Sequence, residues 1–238
     1  MPPTTLVKPR VYLCYNMLMV KKVTFKKTFK DYLNGNLKFK KSEMVAIFLF
    51  SVVLAGFLGF VWEFSLEVLK SGFKTAYITG GNFLPWINIY ALGAILVGII
   101  SRKTRKNPLL TFIITAVSTG ILELIAGWLV FVVEDGTRYW YYGDEWWGWG
   151  HINGFVCPVS ALIFGIGSMF FVYLMFPFAL FVARRVDKRK FLIVSVILFS
   201  LIMVDEATNY ILRRSNLPYS RDFYLSAGFT PRHIDADD

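Results

Sequence analysis

Glu63, Glu67, Glu123, Asp205 and Glu206 stand within or at the ends of long apolar runs. A carboxylate inside a bilayer is costly, so each one demands either a partner or a task. Asn82, Asn88, Asn153 and Asn209 fall at the same level of their own runs. Glu123 is the deepest of the acids, with Gly120 and Gly127 close by. Such a group either pairs with a cation, for which Arg138 is the nearest choice in sequence, or serves substrate binding or proton transfer with a shifted pKa. Glu63, in GFVWEF, poses the same question.

Between two apolar runs lies EDGTRYWYYGDEWWGWGHINGFVCPVS, residues 134–160. From Glu134 to His151 it holds four acids, Arg138, three tyrosines and four tryptophans. Aromatics this dense beside apolar runs mark a membrane interface. The candidate substrate-binding residues are Glu63, Asn88, Tyr90, Glu123, Arg138, Trp140, His151 and Asn153. Each also has a plainer reading. Glu67 meets water at a helix end, and Asp205-Glu206 terminates a helix. His151 and the tryptophans form an interfacial belt, and Asn88 and Asn153 cap or bridge helices.

The elements that must hold these residues are membrane spans. Of the 238 residues 55% are hydrophobic and 18% charged, and mean hydropathy is +0.51. Soluble domains carry roughly 25% charge, whereas several runs here reach the about 20 apolar residues that a spanning helix needs. The pattern predicts an all-α polytopic transmembrane bundle of about five spans: 44–69, 84–100, 108–133, 153–183 with Pro177 as a kink, and 191–212. Gly56, Gly59, Gly93, Gly98, Gly165 and Gly167 allow close helix approach.

The basic residues set the orientation. Residues 1–41 hold ten Lys/Arg and one acid, Asp31. SRKTRKN (101–107) carries four basic residues, and RRVDKRK (184–190) five with one acid. Five spans put all three on one side, which places the N-terminus in the cytoplasm and the C-terminus, ending DADD, outside. The bilayer carboxylates then share the outer level, beneath 134–152 as a roof over an outward-facing polar cavity. The domain reading is a basic tail 1–43, a transmembrane domain 44–212 and a polar tail 213–238. Within the first, residues 20–33 make an amphipathic helix for the inner leaflet, with Phe25, Phe29, Tyr32 and Leu33 opposite Lys22, Lys26 and Lys30. The tail after Asn216 reads as polar loop, broken by Pro218 and Pro231. Glu63 and Glu123, each in the outer half of a span and each followed by an aromatic loop, form a faint internal echo.

Several functions are disfavoured by what the chain lacks. There is no G-x-x-x-x-G-K-[ST], so no P-loop ATPase, and no H-E-x-x-H or G-x-S-x-G. Cys14 and Cys157 fall at different depths, which argues against a disulfide. With two histidines they do not make a structural zinc site. No cofactor or metal is called for. No nucleic-acid module accompanies the basic tail, and anionic lipid is its expected partner.

GFVWEF (59–64) and GNFLPWINIYALGA (81–94), followed by ILELIAGWL (121–129), GTRYWYYG (136–143) and HINGFVCPVSALIFG (151–165), carry a resemblance. Over about 44–170 the chain resembles the bacterial CmpB-like family, described as ABC-transporter type IV permeases. Glu63, Pro85, Tyr90, Gly93, Glu123, Arg138, Trp140, Asn153 and Gly154 match positions of the pattern. Tyr141 stands where the pattern has Asp, Asn88 where it has Pro and Ala91 where it has Gly. The resemblance implies a multi-pass permease in the cell membrane that draws energy from a separate ATPase subunit. Against that, the inner loops are short for a coupling element. An enzyme acting on lipid or envelope precursors, and a non-catalytic assembly or lipid-binding protein, are the alternatives. Self-association as a homo-oligomer is left open.

Overall fold

The computed structural model describes residues 23–70, 72, 76–77, 82–134, 136 and 138–231. Seven helices account for most of the described chain. They are α1 (Phe25–Asn34), α2 (Lys41–Lys70), α3 (Asn88–Thr104), α4 (Pro108–Val133), α5 (Pro158–Ala183), α6 (Lys188–Arg214) and α7 (Ser220–Ser226). Two two-residue strands, β1 (Ala76–Tyr77) and β2 (Thr230–Pro231), pair in parallel, Ala76 opposite Thr230. Cys14, residues 20–22 of the expected amphipathic segment and the DADD terminus lie outside the described residues.

Four helices are long and apolar enough to cross a membrane: α2, α4, α5 and α6. The fifth helix expected to span, α3, has 17 residues, about 25 Å of helix, and is shorter than these four. Residues 84–87, expected to open this span, are not helical. They fold beside α2, where the Ile87 N–H donates to the Gly56 carbonyl at 3.2 Å. The C-terminal part of α2 meets the start of α3 through Glu63 and Tyr90. At the opposite end Tyr173 on α5 donates to the Arg105 carbonyl beyond α3.

Local sequence sets the helix starts. Asn107 caps α4 by accepting from the Leu110 N–H, with Pro108 as first helical residue, a position where the missing N–H leaves nothing unsatisfied. Cys157 and Ser160 cap α5 reciprocally, and Asp187 caps α6. Pro177 does not break α5. A π turn over Phe171–Met175 precedes it. That widening gives room where the proline ring crowds the carbonyl of Tyr173 and supplies no N–H. Ser51, Thr115, Thr119, Ser168 and Ser195 return their hydroxyls to carbonyls of their own helices. These buried hydroxyls are thus satisfied without water.

Small residues set how closely the helices approach. A methyl on Gly56 would strike the Trp86 indole, and one on Gly59 the Tyr90 ring. Gly127 on α4 faces Phe155 in the chain leading into α5, and between α4 and α5 Gly120 faces Ala161 and Gly165 faces Ala116. The outward faces stay apolar, with Ile113, Val117, Ile121, Ile125 and Trp128 exposed on α4 and Ile193, Ile197, Leu201 and Val204 on α6. That is the surface a lipid solvent requires.

Two segments depart from expectation. The α1 helix is amphipathic, but it lies against the bundle. Tyr32 joins a core cluster with Ile47, Ala179, Leu180 and Phe191, Arg184 pairs with Asp31 at 2.9 Å and Arg105 stacks over Tyr32. Packing on α5 gives its apolar stripe a protein partner, while Lys26, Lys27 and Lys30 remain exposed. The C-terminal segment, read as polar loop, forms α7. Asp222 accepts from the Tyr219 N–H at its start, Ser220 N–H donates to Asn209 and the Tyr224 hydroxyl donates to the Phe83 carbonyl. Its polar composition hid these anchors, because they are tertiary.

Candidate functional site

The close approach of α2 to α3 is what places Tyr90. With no side chain at Gly59, the Tyr90 ring lies against α2, and its hydroxyl donates to Glu63 Oε1 at 2.5 Å. The contact at Gly127 and Gly120 does the same for α4 and α5. There Ser160, third residue of α5, brings its hydroxyl to Glu123 Oε2 at 2.7 Å. The other carboxylate oxygen, Oε1, accepts from the Tyr142 hydroxyl at 2.6 Å. Glu123 is 2% exposed. Glu63 lies within electrostatic range of both Glu123 and Tyr142. Four elements thus converge on one level: α2, α4, the start of α3 and the start of α5, closed by the loop that carries Tyr142.

That loop is held by its own backbone. Asn153 (φ 50°) and Gly154 (φ 74°) turn through the left-handed region, which glycine adopts without strain and asparagine tolerates. A Cβ at Gly154 would strike the Tyr141 ring. Past this turn, Tyr142 N–H donates to the Gly154 carbonyl at 2.9 Å and Trp140 Nε1 to the Phe155 carbonyl at 2.8 Å. His151 Nδ1 accepts from the Gly154 N–H. Tyr142 packs against Trp147. Its hydroxyl is pushed well above the ordinary tyrosine value, first by burial and then by the Glu123 and Glu63 carboxylates, so it remains a donor.

The sequence-derived candidates divide. Glu63, Tyr90 and Glu123 come together. Arg138 does not join them: its guanidinium lies over Phe131, Tyr141 and Phe155 and donates to the Asn153 carbonyl. Glu123 makes no ion pair among the described residues; its partners are hydroxyls. Trp140, His151 and Asn153 shape the loop, the last two exposed. Asn88 belongs to a second group, beside Glu206. There Asn82 donates to Glu206 at 2.6 Å, Leu84 N–H to Asp205 at 2.8 Å and Asn209 to Asn82. Asp205 and Glu206 lie inside the continuous helix α6 and fasten the 82–88 segment to it. Glu67, expected in water, is buried near Lys70.

Tyr142 and Ser160 were not singled out from sequence. Ser160 had one signal, its place beside Pro158 at a helix start. Tyr142 had its neighbour, Tyr141, at the position where the family pattern carries Asp. A third group was missed entirely. Glu134 pairs with Arg213 at 2.5 Å and accepts from Tyr139, which also binds Arg213. Arg214 donates to the Val133 carbonyl at 2.6 Å. Glu134, Tyr210, Arg213 and Arg214 line an open cleft of about 120 Å³.

Among the described residues no buried side-chain nitrogen or oxygen lacks a hydrogen-bond partner, and no set of three His, Cys, Asp or Glu side chains is arranged to hold a metal. A family model described as "Putative ABC-transporter type IV" matches residues 46–210, continuing past residue 170, where the legible motifs end. No curated protein and no solved structure matches the chain.

Proposed function

We infer a transport role from one premise: the chain belongs to the family described as "Putative ABC-transporter type IV". It is a multi-pass membrane protein, and our reading makes it the membrane-embedded component of a transporter. Glu63 and Glu123 form the polar centre of the route, and the loop 138–157 is its outer lid. The observation that carries this is Glu123 itself, a carboxylate 2% exposed within a spanning helix and held by the hydroxyls of Tyr142 and Ser160. A structural acid in a membrane is ordinarily neutralised by a cation beside it. One held only by neutral donors is suited to exchanging what it binds.

The positive-inside rule puts the ends of α3 and α5 in the cytoplasm of a cell membrane. There Arg102, Lys103, Lys106, Arg185, Arg189 and Lys190 form a basic surface with the exposed lysines of α1. That surface faces anionic lipid and is where a separate ATPase subunit would dock.

The test is a small-solute and lipid profile of cells lacking the chain, complemented by wild type, Glu63→Gln or Glu123→Gln. A transport component changes the level of a solute, and wild type restores it while Glu123→Gln does not. Restoration by both variants at normal protein levels rejects the site. A change confined to lipids rejects transport in favour of a lipid enzyme. Purification of a tagged chain from mild detergent tests for the ATPase.

A further inference from the structure

Ser160 has one hydroxyl hydrogen and two acceptors within reach. Glu123 Oε2 lies at 2.7 Å and the Cys157 carbonyl at 3.0 Å, while the Cys157 N–H donates to Ser160 Oγ at 3.1 Å. A hydroxyl donates once and accepts twice, so two complete arrangements exist. With Glu123 ionised, Ser160 donates to Oε2. With Glu123 protonated, the new O–H donates to Ser160 Oγ, and Ser160 turns its hydrogen to the Cys157 carbonyl. That carbonyl already accepts from the Ala161 N–H and has a second lone pair free for it. No heavy atom moves between the two arrangements, and none of these groups is left unsatisfied in either.

Tyr142 distinguishes the two arrangements. Its hydroxyl donates to Oε1 in both, but to a carboxylate in the first and to a neutral acid carbonyl in the second. The charge-assisted bond is roughly twice as strong. Tyr142 is fixed in the loop by its own N–H to Gly154, so the strength of this bond sets how firmly the loop is held. The groups facing Glu123 are Tyr142 from the loop, Ser160 and Cys157 at the start of α5, Glu63 from α2 and Tyr90 from α3.

We propose that Glu123 is a proton-binding site whose occupancy the loop 138–157 senses through Tyr142, with Ser160 as the hydroxyl that lets the proton enter and leave. The proposal rests on the transport reading of the same site and adds a proton to what that site binds. A hydronium from the outer side gives its proton to Oε2 and leaves as water, and release runs in reverse. Ionised Glu123 keeps the loop latched and protonated Glu123 loosens it.

The experiment uses the full chain in lipid nanodiscs with the proton as the only ligand. Infrared difference spectra across a pH titration show the carbonyl stretch of protonated carboxylic acids. The expected result is a band that grows as pH falls and is missing in Glu123→Gln. Ser160→Ala, which removes a donor to the ionised form, moves its midpoint up by about one unit, and Ser160→Thr restores it. Glutamine copies the protonated acid, accepting from Tyr142 and donating to Ser160. Glu123→Gln therefore speeds amide exchange in 138–157 roughly tenfold at neutral pH, as expected from loss of charge assistance. An unchanged band in Glu123→Gln, or a Ser160→Ala midpoint equal to wild type, overturns the proposal. No transported solute is needed. Lost transport in Glu123→Gln without the band rejects the proton site alone, whereas a titrating band in a chain whose deletion alters no solute rejects the transport reading alone.

Discussion

Glu123 lies within α4 and Glu134 caps its C-terminus, about three turns further on, and the two are held in opposite ways. Glu134, at the C-terminal end of α4, meets Arg213 at 2.5 Å and the Tyr139 hydroxyl. It ties α4 to the far end of α6 and is neutralised by doing so. Glu123 lies deeper, and its partners come from the loop and from α5 as uncharged hydroxyls. Both sets of partners satisfy hydrogen bonding, but only the first compensates charge. A carboxylate compensated by arginine has no reason to change state, while one compensated by hydroxyls can gain or lose a proton or a ligand without abandoning an ion pair.

The largest effect that separates them is on activity. Glu123→Gln is expected to reduce the solute phenotype by at least about tenfold, while thermal unfolding in detergent stays within about 1 kcal/mol of wild type, because the amide keeps both neighbours bonded. Glu134→Gln should do the reverse, lowering stability while activity per folded molecule is retained. If the two variants behave alike, the contrast is wrong.

Packing at Gly127 comes next. Phe155 lies against this glycine at a distance that leaves no room for a methyl group. Gly127→Ala should lower stability by about 1–3 kcal/mol and weaken the activity that depends on Ser160 reaching Glu123. Gly167, on the same pair of helices, has open space around it. Gly167→Ala should leave both properties unchanged or raise stability by up to about 1 kcal/mol. Equal losses at both glycines would show that close helix approach does not set the site.

Removing the cation is a smaller change. The side chains of Arg213 and Glu134 are 28% and 16% exposed, so solvent already screens part of their attraction. Arg213→Ala should cost about 1 kcal/mol, read from the unfolding midpoint, with activity retained. A loss of activity larger than the loss of folded protein would move Arg213 out of a structural role.

Much of the fold was legible because apolar run length and basic loops are local signals. The bounds of α4 match the sequence reading at both ends, Pro108 and Val133. The start of α3 was missed because residues 84–87 are as apolar as a span, yet they fold back on Gly56. The acids of the site were legible as charges in apolar sequence, but their partners were not. Ser160 and Tyr142 are ordinary residues until α4 and α5 close on Gly120 and Gly127. Arg138 looked like the natural counter-ion for Glu123 on charge alone, but the aromatic rings around it offer cation–π contacts and the loop turns it away. The Glu134–Arg213 pair joins positions far apart in sequence, and no local pattern announces it.

The two tyrosines carry the same contrast into a pH effect. Burial raises both hydroxyls above the ordinary value of 10.0. At Tyr139 the Arg213 charge opposes that rise while Glu134 adds to it, whereas at Tyr142 the Glu123 and Glu63 carboxylates both add to it and no cation opposes them. A phenol raised in the folded state holds its proton more tightly there than in the unfolded chain. Below pH 10 both states are neutral and nothing changes. As pH rises past 10 the unfolded chain ionises first, and stability is lost with increasing pH. Near neutrality each Tyr→Phe change should cost only about 0.5–1.5 kcal/mol for the lost hydrogen bond. In alkali Tyr142→Phe should move the unfolding midpoint to higher pH by more than Tyr139→Phe does. Shifts of equal size would mean that the cation beside Tyr139 and the two carboxylates above Tyr142 do not set the two hydroxyls apart.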